Sequence, residues 1–106
     1  MNLIPQPLII KRWYQALARI ERGTLHFISP QGERLTFRAP AEGPEAEFAI
    51  AEWGVISRMA ARGDIAMGED YIAGLWDTPS AEALFSFFLV NLHVFGGFAD
   101  GSFAQR

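Results

Sequence analysis

Glu69, Asp70, Tyr71 and Asp77 form the chain's one concentration of carboxylates beside a phenolic hydroxyl. Paired carboxylates can divide the roles of general acid and base, but only with unequal pKa values and a substrate held between them. Glu69 and Asp70 are sequence neighbours, and neighbours on a helix diverge by roughly 100°. Acids at this point suit the positive end of a helix dipole, so helix-start electrostatics or a domain contact is the expected role. Glu69 is expected to anchor an interface or a buried hydrogen bond, with Tyr71 and Trp76 lining its apolar side. His26 and His93 lie far apart in apolar segments without ligand-spaced companions, so no metal site is expected. Ser29, Ser57, Ser80 and Ser102 lack a nucleophile-elbow context. With no cysteine there is no disulfide, thiolate zinc site or thiol nucleophile.

The elements that hold these residues are punctuated by glycine and proline. Pro5 and Pro7 suggest an extended start, followed by a helix over residues 8–22 that Gly23 ends. Ile10, Trp13, Leu17 and Ile20 share one face of it, and Lys11, Gln15, Arg19 and Arg22 another. Such a helix either packs its apolar stripe on a sheet or lies on an anionic membrane with Trp13 and Tyr14 at the interface. Residues 24–29 and 33–38 alternate apolar and polar side chains around Pro30-Gln31-Gly32, which predicts a hairpin with one buried face. Residues 39–47, with Pro40, Gly43, Pro44 and the solvated acids Glu42, Glu45 and Glu47, read as a surface loop. A third strand is expected over 47–50 and a helix over 51–62, inside which Gly54 would permit a close helix contact.

Asp64 is placed to cap a short helix through 67–73, and Gly74 to stop it in a left-handed turn. Leu75 and Trp76 read as a short edge strand, and Thr78 as the N-cap of a helix over 79–95 with Pro79 at its first position. That last helix is apolar on more than one face. Leu84, Phe88, Asn91 and Phe95 fall on one side, and Phe85, Leu89 and Leu92 lie beside them. A domain of 106 residues cannot bury so many faces internally, so a ligand, a twin subunit or another domain is expected to cover one.

Length bounds the chain to a single domain: a basic helix over 1–22, an α+β body over 23–95, and a tail or linker start over 96–106. Net charge is −3, with +3 on residues 1–22 and −6 on the remainder. An isolated basic segment on an acidic body argues against a nucleic-acid surface and suits anionic lipid headgroups. No stretch reaches the roughly 20 apolar residues that span a bilayer. A cytoplasmic location, peripheral at the inner membrane face, is the expectation.

GDIAMGEDYIAGLWD, residues 63–77, resembles the GD-x-x-x-GE-x-Y-x-x-G-x-W-D signature in the N-terminal domain of the cyclopropane-fatty-acyl-phospholipid synthase family. Residues 23–37 are similar to that domain's opening hairpin, G-x-L-x-[FVL]-x-x-P-x-G-x-x-x-x-F. Ala66, Met67 and Leu75 depart from the residue types usual there. The resemblance implies a sterol-carrier-protein-2-like α+β fold, a small antiparallel sheet flanked by helices. It also implies a non-catalytic domain that binds lipid or presents phospholipid to a methyltransferase domain. S-adenosylmethionine and bicarbonate would belong to that other domain, since no strand here leads into a glycine-rich cofactor loop. On this reading Lys11, Arg12, Arg19 and Arg22 attract lipid headgroups. Trp13, Trp76, Phe85, Phe88, Leu89 and Leu92 line an apolar groove or partner face, while Glu69, Tyr71, Gly74, Trp76 and Asp77 form a motif or interface. The alternative is a structural module that dimerises or docks a methyltransferase domain and has no lipid site.

Overall fold

The structure, a computed structural model, describes residues 6–95. The expected tail over 96–106 lies outside the described residues. The fold is α+β, a four-stranded sheet with five helices in the order α1 (Gln6–Leu17), β1 (Arg22–Ile28), β2 (Arg34–Arg38), β3 (Ala41–Ile50), α2 (Gly54–Arg62), α3 (Asp64–Ile72), β4 (Trp76–Asp77), α4 (Ala81–Val90) and α5 (Leu92–Phe95). Strands lie in the order β2-β1-β3-β4.

The hairpin forms as its alternation predicts, with Leu25 opposite Phe37 and Phe27 opposite Leu35 on the apolar side and His26 opposite Thr36 on the other. Gly32 takes the positive φ of its turn. The sheet is mixed rather than antiparallel, because β3 runs parallel to β1. Residues 41–46, expected in a loop, belong to that strand. They read as a loop because Gly43, Pro44 and the glutamates are poor strand formers. The strand accommodates them by carrying extra residues at Gly43-Pro44 opposite Gly23, where the pairing register shifts. The two backbones approach so closely there that a Cβ on Gly23 would lie 2.3 Å from the Pro44 carbonyl oxygen.

α1 is shorter than expected at its C-terminal end and starts earlier, with Pro7 in its first turn where a missing N–H is harmless. Its stripe is Ile9, Trp13, Ala16 and Leu17, all buried. Trp13 is fully enclosed, edge-on to Phe27 and Phe48 at 5.5 and 6.1 Å between ring centroids. It therefore anchors α1 to the sheet and does not stand at a membrane interface. Gly23 is a strand residue and not the helix C-cap. α2 begins at Gly54, whose missing Cβ accommodates the Arg58 and Glu52 side chains and not a neighbouring helix.

The expected helix over 79–95 starts two residues later, with Ser80 as N-cap accepting from Ala83 N–H at 3.1 Å, and breaks at Asn91. Asn91 is fully buried. Its Oδ1 accepts from the Glu21 and Arg22 N–H groups at 2.8 and 3.2 Å, and its Nδ2 donates to the Arg22 and Phe87 carbonyls at 2.9 and 3.0 Å. A single side chain thus ties the end of α4 to the start of β1. Among the described residues no helix is long and apolar enough to cross a membrane.

Candidate functional site

The segment from α3 to α4 is built by two glycines. Gly63, at φ 65°, ends α2 by donating to the Met59 carbonyl, and its own carbonyl accepts from Met67 N–H in α3. Gly74, at φ 77°, turns the chain after α3, and Leu75 N–H reaches back to the Asp70 carbonyl at 2.8 Å. Both left-handed positions are costly for residues with a Cβ, which explains their glycines. The turn delivers Trp76 to the sheet edge opposite Ile50.

Asp70, not Glu69, makes the buried polar contact. Asp70 is 6% exposed and accepts from Arg58 Nε with both oxygens, at 3.1 and 2.9 Å. Burial alone would lower the Arg58 pKa, but its bonds to Asp70 and Glu52 outweigh this and raise it. Glu69 projects into solvent and pairs with Arg62 at 2.9 Å. Its phase explains the difference: Ala66, Met67 and Asp70 face inward on α3, and Glu69 sits a third of a turn away. Asp77 is also exposed, accepting from the Thr78 N–H at 2.9 Å. The carboxylates therefore diverge and share no site.

Tyr71 and Trp76 do lie together, with ring centroids 4.9 Å apart. Trp76 is buried and donates from Nε1 to the Met67 carbonyl at 2.8 Å, so its ring is fixed as the hinge between α3 and α4. On the α4 side its neighbour is Phe85, at 6.4 Å. Outward from this hinge the surface is apolar. Tyr71 is 52% exposed, Ile72 87% and Ile65 66% on α3; Leu89 is 68% and Leu92 59% exposed beyond Phe85. Phe88 turns inward to meet Phe48 and Phe95. The interior between sheet and α4 is filled by Phe48, Leu84 and Phe87, each completely buried. The expected groove members thus separate: Trp13 and Trp76 belong to the core, Phe88 to its margin, and Phe85, Leu89 and Leu92 to an open face. Ile65 and Ile72 on α3 are exposed as well, although sequence reasoning passed over them. Their spacing of seven on one side of a helix was the available signal.

The four expected headgroup cations do not share one helix face. Lys11 and Arg12 are on α1, Arg19 is in the turn after it, and Arg22 opens β1 with Nη1 3.4 Å from the Glu42 carbonyl. Of the four, Arg22 is tied to the end of α4, where Asn91 holds its backbone.

Comparison of the chain with protein-family models, curated proteins and solved structures found no match.

A second constellation lies on the polar side of the sheet. His26 Nδ1 is 2.9 Å from Thr36 Oγ1 and Nε2 is 2.6 Å from Glu45 Oε2. The imidazole's hydrogen bond and charge hold the Glu45 carboxyl below its ordinary range. The order hydroxyl, imidazole, carboxylate is that of a nucleophile relay. Here it spans three strands of a flat ladder, and the groove that His26 lines with Arg34, Glu47 and Ser80 does not include Thr36. Its evident role is cross-strand pairing, alongside Arg34–Glu47 at 2.8 Å. Hairpin register makes the His26–Thr36 pair legible, but Glu45 was hidden in the expected loop. No group of three or more metal-ligating side chains occurs among the described residues.

Proposed function

We propose that this chain is a non-catalytic accessory domain of the cyclopropane-fatty-acyl-phospholipid synthase type, working beside an S-adenosylmethionine-dependent methyltransferase domain that carries the chemistry. Its contribution is to dock that domain and assist presentation of phospholipid to it. One observation carries the reading: large apolar side chains stay exposed along α3 and α4, outside the buried cluster of Phe48, Leu84 and Phe87. A surface of that kind suits a packed partner better than an acyl chain drawn into a cavity. Sterol-carrier-protein-2-like architecture belongs to the same proposal, supported by the α+β layout and by the signature residues of α3 and β4.

The test is sedimentation of the full chain with a methyltransferase domain of this family. A one-to-one complex lost in the double variant Ile72→Gln/Leu89→Gln supports docking, and two independently sedimenting species refute it.

A second reading, direct contact with an anionic membrane, is favoured by the Asn91 linkage that brings the Arg19–Arg22 turn to the end of α4. Under it, anionic vesicles bind the chain at low salt and replacement of Lys11, Arg12, Arg19 and Arg22 abolishes binding. Unchanged binding by that variant would eliminate it.

A further inference from the structure

β2 is the outermost strand of the sheet and pairs with β1 alone. Its register fixes which backbone groups that pairing uses. Ser29 N–H donates to the Glu33 carbonyl and Ala39 N–H to the Gly23 carbonyl, so the antiparallel ladder bonds fall at Glu33, Leu35, Phe37 and Ala39. The N–H and C=O groups of Arg34, Thr36 and Arg38 alternate with these and point away from β1. Among the described residues no strand lies on that side.

The side chains of the edge are sorted by face. Leu35 and Phe37 are half-buried on the apolar face, where Tyr14 stacks on Phe37 at 6.1 Å between ring centroids. Arg34, Thr36 and Arg38 are exposed on the polar face. The acids that share this face are engaged, Glu45 at His26 and Glu47 at Arg34 Nη1. Arg38 makes no ion pair among the described residues, and its Nη1 lies 3.5 Å from Thr24 Oγ1. The edge thus offers an open main-chain ladder with a cation to spare.

We propose that the outer edge of β2 accepts an extended segment of a partner protein as an added strand, one whose acidic side chains alternate with apolar ones. Main-chain hydrogen bonds to Arg34, Thr36 and Arg38 hold the segment. Its acids meet Arg38 and Arg34, and its apolar side chains extend the row of Leu35 and Phe37. The sheet already accepts this pattern once, beside β1: Glu45-Ala46-Glu47-Phe48 of β3 sets its acids on the polar face and buries Ala46 and Phe48. The inference is independent of docking at α3 and α4.

A second copy of the chain does not suit this edge. Antiparallel pairing centred on Thr36 would set each Arg34 opposite an Arg38, and like charges directly opposite destabilise a strand pair. The other end of the sheet, β4, has two residues and is too short to template a strand.

The probe is a peptide of alternating glutamate and valine, compared with a lysine-valine peptide of the same pattern. Binding to the full chain is followed by fluorescence anisotropy at low and high salt. The glutamate peptide is expected to bind at least about tenfold more tightly than the lysine peptide and to weaken with salt. Arg38→Glu should weaken it about tenfold, while Arg62→Glu, the same charge change on α2, should leave it within about twofold. N-methylation of alternate peptide residues reads the ladder: the set whose N–H groups face β2 should cost about tenfold, and the other set no more than about twofold. Thr36→Pro removes an outward N–H and spares the bonds to β1, so it should also weaken binding about tenfold. Circular dichroism checks that this variant folds, and the methylated peptides read the same bonds in the unaltered chain.

Equal binding of the glutamate and lysine peptides, or an equal loss in Arg62→Glu, overturns the inference. Equal effects of the two N-methylated sets overturn it, because a strand bonded along one edge distinguishes them. Binding that is lost in Ile72→Gln/Leu89→Gln moves the peptide to the helices and overturns it while leaving docking there standing. Self-association of the free chain that Thr36→Pro abolishes assigns the edge to a second copy and also overturns it.

Discussion

Two surfaces of this small protein face water in opposite conditions. On the polar side of the sheet, His26 bridges Thr36 and Glu45, and Arg34 meets Glu47, so charges are matched across neighbouring strands. On the outer side of α3 and α4, isoleucine, leucine and tyrosine stand open to water. The first surface satisfies itself; the second has the composition of half an interface. A fully buried large apolar side chain contributes about 1.5–3 kcal/mol, so covering several of these at once is a substantial driving force for association. The difference teaches that exposed apolar surface is concentrated on α3 and α4 and is scarce on the polar side of the sheet.

The sharpest way to break the contrast is to cut the element that holds the open face on the sheet. Asn91→Leu strands the Glu21 and Arg22 N–H groups and the Arg22 carbonyl. It should cost about 2–4 kcal/mol in urea unfolding. Next comes the ion pair beneath α3. Arg58→Met leaves the Asp70 carboxylate without its partner, and because Arg58 is one-third exposed the loss should be nearer about 1–2 kcal/mol. Ile72→Gln/Leu89→Gln, by contrast, should leave unfolding stability within about 0.5 kcal/mol while impairing association, because those side chains are already in water.

The smallest effect concerns the self-satisfied sheet. NMR titration should find the Glu45 carboxyl below its ordinary pKa of 4.5, returning toward it in His26→Ala. Because the folded value is the lower one, any stabilisation from Glu45 is present above the unfolded carboxylate pKa. It is lost as pH falls through the folded value. An unshifted Glu45 in the native protein would show that this surface does not pair as described.

Features set by local backbone chemistry were legible in the sequence. Pro30-Gln31-Gly32, Gly63 and Gly74 each specify a turn from within a few residues, and the alternation in β1 and β2 identifies the buried face of the sheet. Features set by distant partners were not. β3 becomes a strand in spite of Gly43 and Pro44 because β1 pairs with it. The break at Asn91 is written in the backbone of Glu21 and Arg22, some seventy positions away. Asp70 makes the buried bond expected of Glu69, because the phase of α3 turns Ala66, Met67 and Asp70 inward toward Arg58 on α2. The apolar surplus of the last helix was visible beforehand, but its extension onto Ile65 and Ile72 needed the placement of α3.

The passage from β2 to β3 carries a different consequence. Those strands flank β1, yet only Ala39 and Pro40 join them, with Ala39 N–H donating to the Gly23 carbonyl as the chain steps past. Two strand spacings come to about 9.5 Å, and three virtual bonds reach about 10–11 Å at full stretch. The crossing is short, and the chain bends at Pro40 as it makes it. Deletion of one residue there is expected to shift the register of β3 against β1, and an added residue to be tolerated better. This constraint on chain length operates independently of any side chain in the core.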